Sequence, residues 1–458
     1  ATGEPFVRTA TRQAMRIMGH QFVMGRTIQE ALKRAQKDVS KGYRFSFDML
    51  GEAALTSADA ARYLQSYHRG IGEISGGAGG PATDIFAAPG VSVKLSALHP
   101  RLSYTHRDRV MSELAPQLVE LALHAKDCGI GLTIDSEEAD RLELTLELFE
   151  HVFRDGGLAG YDGFGIAVPT YQRRAANVIR FLTELSRDVG RRIPVRLVKG
   201  AYWDAEIKHA QEQGLESFPV FTRKSHSDIS YLACARQALD GGDALYLQFA
   251  THNAHTLASI IHFAGGRRDF EFQRLHGMGA ELYDEIIDAE KYDRPCRVYA
   301  PVGSHEDLLP YLVRRLLENG SNSSFVNRIV EKDIKVADVV ADPLCTVRDN
   351  DYKPHPKILP APSMFLPERK NSRGLNLADH VVTEPLLADM QAAMASEFRG
   401  HAIVDGKACG TTERQSLNPA DNTHVIGTCR LATSADVDNA LDSAARAQVS
   451  WDRRPAAE

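Results

Sequence analysis

The chain is poor in the features that mark several protein classes. Its six cysteines (Cys128, Cys234, Cys296, Cys345, Cys409 and Cys429) are scattered, and no two have the CxxC spacing of a zinc or redox site. No disulfide framework is signalled either, which points to a reducing compartment. The apolar runs fall far short of the ~20 residues that a membrane span needs. Basic excess is missing: 54 Lys and Arg stand against 60 Asp and Glu. That is the wrong sign for a nucleic-acid binder. No GxGxxG follows the first apolar run, which argues against a dinucleotide-binding fold. What remains is an ordinary globular composition over 458 residues, 43% hydrophobic and 25% charged, long enough for a sizeable core. The opening ATGEPFVRTATRQAMRIMG is basic and amphipathic. With Glu4 and a helical continuation, it reads as part of a folded body rather than a transit peptide. Lacking an initial Met, the chain is expected to be a fragment.

From about residue 40 one theme repeats. A short apolar run ends in polar residues and is followed by a helix-patterned segment. The runs are YRFSFDMLGEA, VSVKLSALHP, GIGLTIDSEE, GFGIAVPTYQ, IPVRLVKGAY, ALYLQFATHN, FEFQRLHGMG and CRVYAPVGSH. Between them lie stretches such as MSELAPQLVELALHAKDCG and ANVIRFLTELSRDVG. The latter carries Ile179, Leu182, Leu185 and Val189 at helical spacing, with Gly190 as the cap. Apolar strands alternating with helices predict a parallel sheet covered on both faces. Eight such strands over roughly 260 residues fit a closed (β/α)8 barrel better than an open sheet.

In such a barrel chemistry sits at the C-terminal strand ends. The runs end in Glu52, Lys94, Asp135, Gln172, Lys199 with Tyr202, Thr251 with His252 and Asn253, His276, and Tyr299. After the eighth run, YLVRRLLENGSNSSF places Arg314 and Arg315 side by side in an apolar helix. A surface helix would pair Arg314 with Glu318. Beside a barrel mouth, two guanidiniums suit a carboxylate or phosphate, with Lys94 as a third cation and Glu52 and Asp135 as resting partners. In VRLVKGAYWD, Lys199 is open to two functional readings. It is a Schiff-base amine of an aldolase type, or it joins Arg196 against a cofactor's electron-rich edge or phosphates with Trp203 stacked on a ring. A solvated lysine and a core tryptophan are the bland alternatives. FATHNAH fits no common zinc spacing. In QRLHGMG, Leu275 reads equally as core or as pocket wall.

Taken together, FDMLGEAALT, VSVKLSALHP, RLVKGAYWD, FATHNAHT, LHGMG and YLVRRLLENG resemble the proline dehydrogenase domain of bacterial proline utilization A proteins. The resemblance runs in order from about Gly3 to Asp351. It implies a distorted (β/α)8 barrel that holds FAD non-covalently. It also implies oxidation of L-proline to Δ1-pyrroline-5-carboxylate, with electrons passing to a membrane quinone. By the same resemblance, Arg314, Arg315 and Lys94 hold the proline carboxylate. Tyr299, Leu275, Tyr202 and Asp135 surround the ring, and Glu52 pairs with an arginine. Arg196, Lys199, Gly200, Ala201, Trp203, Thr222, Thr251, His252, Asn253, Gln273, Glu318, Ser324 and Phe325 match flavin-contacting positions. A small-carboxylate binding module without catalysis is the remaining alternative to enzyme or aldolase.

One position departs from the pattern: after GFGIAV the family's glutamine is replaced by Pro169, which has no side-chain donor for the flavin. The expected organisation is a helical arm remnant over 1–40, the barrel over 41–335, and a linker with a helix over 336–396. The proline-rich stretch DYKPHPKILPAPSMFLPERKNSRG reads as extended, with little core of its own. The piece 397–458 resembles the start of an aldehyde dehydrogenase domain, lacking its catalytic cysteine and nucleotide-binding loop. It is expected to be poorly packed. Its last helix should be capped by Thr433 or Ser434. The resemblance implies a cytoplasmic protein with peripheral attachment at the inner membrane face, and no DNA-binding segment in this chain.

Overall fold

The computed structural model describes residues 4, 19, 21–77, 82–303, 311–315, 340–396 and 398–456. Two compact units result, Ala1–Asp379 and His380–Glu458. In the first, eight parallel strands close into a barrel in sequential order, β1 pairing with both β2 and β8. They are β1 (Arg44–Met49), β2 (Gly90–Val93), β3 (Gly131–Ile134), β4 (Phe164–Pro169), β5 (Ile193–Val198), β6 (Leu245–Ala250), β7 (Phe270–Leu275) and β8 (Cys296–Val302). All eight expected runs form strands of that barrel. Helices between them cover the outside. The helix Ala175–Val189 buries Ile179, Leu182 and Leu185 and ends at Gly190, whose φ of 71° is the left-handed conformation the cap requires.

Each strand alternates between two environments. Phe47, Val91, Leu132, Ile166, Val195, Leu247, Phe272 and Val298 face the helices and are buried in one apolar cluster. The neighbouring positions Ser46, Ser92, Arg196, Gln248, Glu271, Gln273 and Arg297 turn inward and are also buried. Hydrogen bonds from Arg196 on β5 to Ser46 on β1 and Ser92 on β2 cross the interior, which fixes the inward direction. Barrels of this kind usually fill their interior with branched aliphatic residues. Here the filling is ionic, so the apolar core lies between strands and helices. At the N-terminal end, Phe86 stacks on Tyr246 with ring centroids 4.1 Å apart and closes the floor.

The proline-rich stretch contributes more packing than its composition predicts. Ala361 is buried, and Ile358 packs against the cluster of Tyr171, Ile207, Phe218 and Val220. The backbone joins in, Gly374 N–H donating to the carbonyl of Gly214 at 2.9 Å. Prolines spare it the unpaired N–H groups that an extended buried segment otherwise leaves.

In the second unit a helix (His380–Met394) precedes four strands, β9 (Phe398–Val404), β10 (Lys407–Cys409), β11 (Thr412–Asn418) and β12 (Asp421–Leu431), in the order β10-β9-β12-β11. A final helix, Ser434–Trp451, opens with a capping box between Thr433 and Asp436. Gly427 is the only buried residue among the described residues of this unit, so it has little core, as expected.

Phe272 is fully buried and meets the rings of Phe249, Phe270 and Tyr283. Phe272→Ala is expected to cost about 3–5 kcal/mol, read as a lower denaturation midpoint at unchanged slope.

Candidate active site

The site is built upward from Arg196. Its guanidinium is buried and donates to Asp135 Oδ1 at 2.5 Å, Gln273 Oε1 at 2.8 Å, Ser92 Oγ at 2.9 Å and Ser46 Oγ at 3.3 Å. One side chain thus ties β5 to the ends of β1, β2, β3 and β7. Above it, Lys94 Nζ donates to Asp48 Oδ1 at 2.8 Å, Asp135 Oδ2 at 3.2 Å and the Tyr299 hydroxyl at 3.4 Å. Tyr299 in turn donates to Asp135 Oδ2 at 2.6 Å, and the guanidinium of Arg196 lies 5.1 Å from its ring centroid.

The charges within this cluster are unequal. Burial works against the Lys94 ammonium, but Asp48, Tyr299 and Asp135 more than offset it and hold its pKa well above the ordinary value. Burial also disfavours the Asp135 carboxylate, yet Lys94 and Arg196 outweigh it and keep the group below its usual range. Asp48 goes the other way. Burial, aided by the nearby Asp135, raises its pKa despite Lys94. Its Oδ2 is buried without a hydrogen-bond partner. Two carboxylates therefore compete for one ammonium, and Asp135 is the more firmly ionised.

At the rim, Glu52 binds Arg314 through two bonds of 2.6 and 2.8 Å. Burial alone would raise the Glu52 pKa, but Arg314 pulls it below normal. Arg314 also lies over Tyr202, 5.0 Å from the ring centroid. The Tyr202 hydroxyl is pushed up by burial and feels Arg314, Glu52, Glu137 and Lys94, so these groups share one space. Arg315 is buried beside the Tyr311 ring, 5.3 Å away. Leu275 and Tyr299 pack against Phe22, Leu50, Met278, Tyr311 and Leu312, an apolar wall at the mouth. Of the predicted substrate-site residues, Glu52, Lys94, Asp135, Tyr202, Leu275, Tyr299, Arg314 and Arg315 all lie at this end of the barrel.

Among the described residues, most of the predicted cofactor positions fall on or just after β5, β6 and β7, with Thr222 in the loop before the helix Lys224–Asp240, and several are engaged structurally. Asn253 Oδ1 caps the helix Ala254–Ala264 by accepting from Thr256 N–H, and Thr251 Oγ1 accepts from Asn253 N–H. His252 Nε2 accepts from Leu275 N–H at 3.1 Å. Trp203 Nε1 donates to the Phe221 carbonyl, and Thr222 Oγ1 accepts from His355 N–H. Gly200 has φ of 132°, and a side chain there would strike the Tyr171 ring 2.3 Å away. Next to it Ala201 is exposed. Lys199 and Lys224 share the carboxylate of Asp228. A salt-bridged Lys199 is not the desolvated amine that Schiff-base chemistry uses. Glu318, Ser324 and Phe325 lie outside the described residues. Arg196, Lys199, Lys224 and Gln273 form a set of donors and cations that fits an electron-rich ring carrying phosphates.

Three buried acidic residues of the barrel and its loops were not anticipated. Asp48 and Glu271 lie on the inner faces of β1 and β7, and the alternation in FSFD and FEFQRL was the available signal. Glu206 is buried and its Oε1 accepts from Ala139 N–H at 2.7 Å and the Tyr171 hydroxyl at 3.2 Å. No local pattern marks it.

A sequence profile of the proline dehydrogenase family matches residues 31–328. The bifunctional protein PutA of Salmonella typhimurium is 46% identical over all of this chain, which spans 35% of that protein's length. A PutA mutant structure from Bradyrhizobium japonicum superposes with a TM-score of 0.77 at 49% identity, over 85% of this chain and 40% of that one. PutA from Bdellovibrio bacteriovorus, inactivated by N-propargylglycine, gives a TM-score of 0.87 at 28% identity, over 98% of this chain and 47% of that one.

Burial raises the Glu206 pKa to about 7. Its protonated form is thus favoured in the fold, so stability present below the ordinary pKa of 4.5 is lost as pH rises through about 7. Relative to Glu206→Gln, the wild type should lose on the order of 3 kcal/mol between those limits and no more above them. Paired denaturant titrations across pH 4–9 check this, and parallel curves would contradict it.

Proposed function

Because the chain belongs to the proline dehydrogenase family, we propose that it oxidises L-proline to Δ1-pyrroline-5-carboxylate. The observation that carries this reading is the cationic mouth formed by Lys94, Arg314 and Arg315 beside the apolar wall of Leu275 and Tyr299. Proline presents a carboxylate and a small apolar ring, and the mouth offers a complement to each. Lys94 is kept as an ammonium by its carboxylate neighbours, so it stays a charged donor for the proline carboxylate. Arg314 reaches the carboxylate by sharing or leaving its bond to Glu52, which makes the Glu52–Arg314 pair a gate. Arg315 adds a second guanidinium.

The oxidation removes a hydride from a ring carbon and a proton from nitrogen, leaving a C=N bond. FAD, when bound, would supply the two-electron acceptor. Arg196, Gln273, Lys199 and Lys224 would hold it, with Thr222, Thr251 and Asn253 nearby. The protein's own task is to clamp the carboxylate and press the ring into one orientation, since proximity alone contributes much of such a barrier. Pro169 replaces a donor with none, so one flavin contact expected from the family is absent.

Electrons would pass to a membrane quinone. Docking at the membrane would be peripheral, and among the described residues no helix is long and apolar enough to cross a bilayer. The cytoplasmic setting, and an aldehyde dehydrogenase domain continuing from 397–458, belong to the same proposal.

Steady-state proline oxidation with a dye acceptor tests the assignment. Arg315→Met should raise KM for proline at least about tenfold, the loss of one charged hydrogen-bonded contact, while flavin content is unchanged. Unaltered proline kinetics would remove the carboxylate role.

A further inference from the structure

Glu271 lies one layer below every residue given a role so far. It sits on β7 two positions before Gln273 and four before Leu275, so the three share the inner face of the barrel. It is fully buried and its carboxylate is crowded with donors. Oε1 accepts from Arg297 Nε at 2.6 Å, Gln273 Nε2 at 2.9 Å and Gln248 Nε2 at 3.0 Å. Oε2 accepts from Arg297 at 3.0 Å, Arg44 at 3.3 Å and the Tyr246 hydroxyl at 3.4 Å. Burial opposes its charge, but Arg297 and Arg44 prevail and hold it ionised.

A carboxylate can only accept, so it dictates how the amide above it turns. Gln273 must present Nε2 to Glu271. That leaves Oε1 on the far side, 2.8 Å from Nε of Arg196. Turned over, the amide would set a donor against the guanidinium and an acceptor against the carboxylate, two repulsive contacts between buried groups. The other neutral partners of Arg196, the hydroxyls of Ser46 and Ser92, bond each other at 3.1 Å, and a hydroxyl can both donate and accept, so they impose no fixed polarity on it. Gln273 is therefore the neutral partner whose polarity is set from outside the site, and Glu271 sets it.

We infer that Glu271 is a positioning residue: through the amide of Gln273 it fixes the guanidinium of Arg196, and with it Asp135, in the orientation the reaction uses. The assignment rests on the proposed function, in which Arg196 and Asp135 border substrate and cofactor. A simpler role competes with it. Glu271 also neutralises Arg297 and Arg44 at the barrel floor, and that alone would make it important for stability.

A double-mutant cycle separates the two roles. In Glu271→Gln the new amide donates or accepts equally well, so Gln273 is oriented by Arg196 alone and held less firmly, and kcat/KM for proline should fall about tenfold. Once Gln273→Leu has cut the link, adding Glu271→Gln should change kcat/KM by less than about twofold. A floor role alone predicts the same factor in both backgrounds, or no catalytic change with a lowered melting temperature, and either result overturns the inference. The same four proteins, melted free of cofactor, give a second readout. Positioning through Gln273 predicts melting shifts that do not add, and additive shifts contradict it. Should Glu271→Gln not fold, Glu271→Gln with Arg297→Met replaces it in the cycle, since removing one carboxylate and one guanidinium together keeps the local charge. Wild-type turnover of proline is the control for the proposed function. If it is absent that reading fails, while the melting cycle still decides whether Glu271 acts through Gln273.

Discussion

A fixed positive charge inside a closed barrel is the constraint on which the rest depends. A guanidinium stays charged inside a protein. Buried without partners, it would cost several kcal/mol of lost hydration. The fold meets that cost with four acceptors drawn from four other strands: Asp135, Gln273, Ser92 and Ser46. Once Asp135 is committed to Arg196, its second oxygen is available to Lys94 and Tyr299. Once Gln273 is committed, its amide must find a carboxylate below, which is Glu271. The inner surface is a single polar network, and the apolar packing that stabilises the barrel is displaced to its outside. A cluster so interdependent gives a rigid platform at the strand ends, as a site that works by orientation requires.

Asp48 adds a tension that the network does not resolve. It competes with Asp135 for Lys94 and is left with one buried oxygen unpaired. The result is an ammonium shared between two carboxylates, placed next to the rim where Glu52 holds Arg314. The mouth is thus cationic in content but internally neutralised at rest. An incoming carboxylate exchanges with Glu52 for Arg314 rather than entering an unscreened field.

Much of this was legible in the sequence, for physical reasons. Every barrel strand is a short apolar run that stops at a polar residue, so the strands, their parallel arrangement and the cluster of reactive ends could be read directly. The Gly190 and Thr433 caps were equally local. The interior was harder. FSFD and FEFQRL alternate with period two, but an inward Ser46, Asp48 or Glu271 looks like solvent-facing polarity in any short window. Burial of these groups is a property of closure, not of any window of residues. Glu206 was invisible for a related reason, because its partners Ala139 and Tyr171 come from two other loops. The packing of the proline-rich stretch was also hidden, because prolines and charges signal exposure, while its contribution is a few side chains and backbone bonds at long range.

The central claim is that this network holds proline against a redox acceptor, and one spectrum tests it most directly. The purified protein, loaded with FAD and kept free of oxygen, is mixed with L-proline while the flavin band near the blue end of the visible range is followed. The account predicts that the band bleaches with L-proline. A protein that binds FAD and keeps its oxidised spectrum in excess L-proline would contradict it.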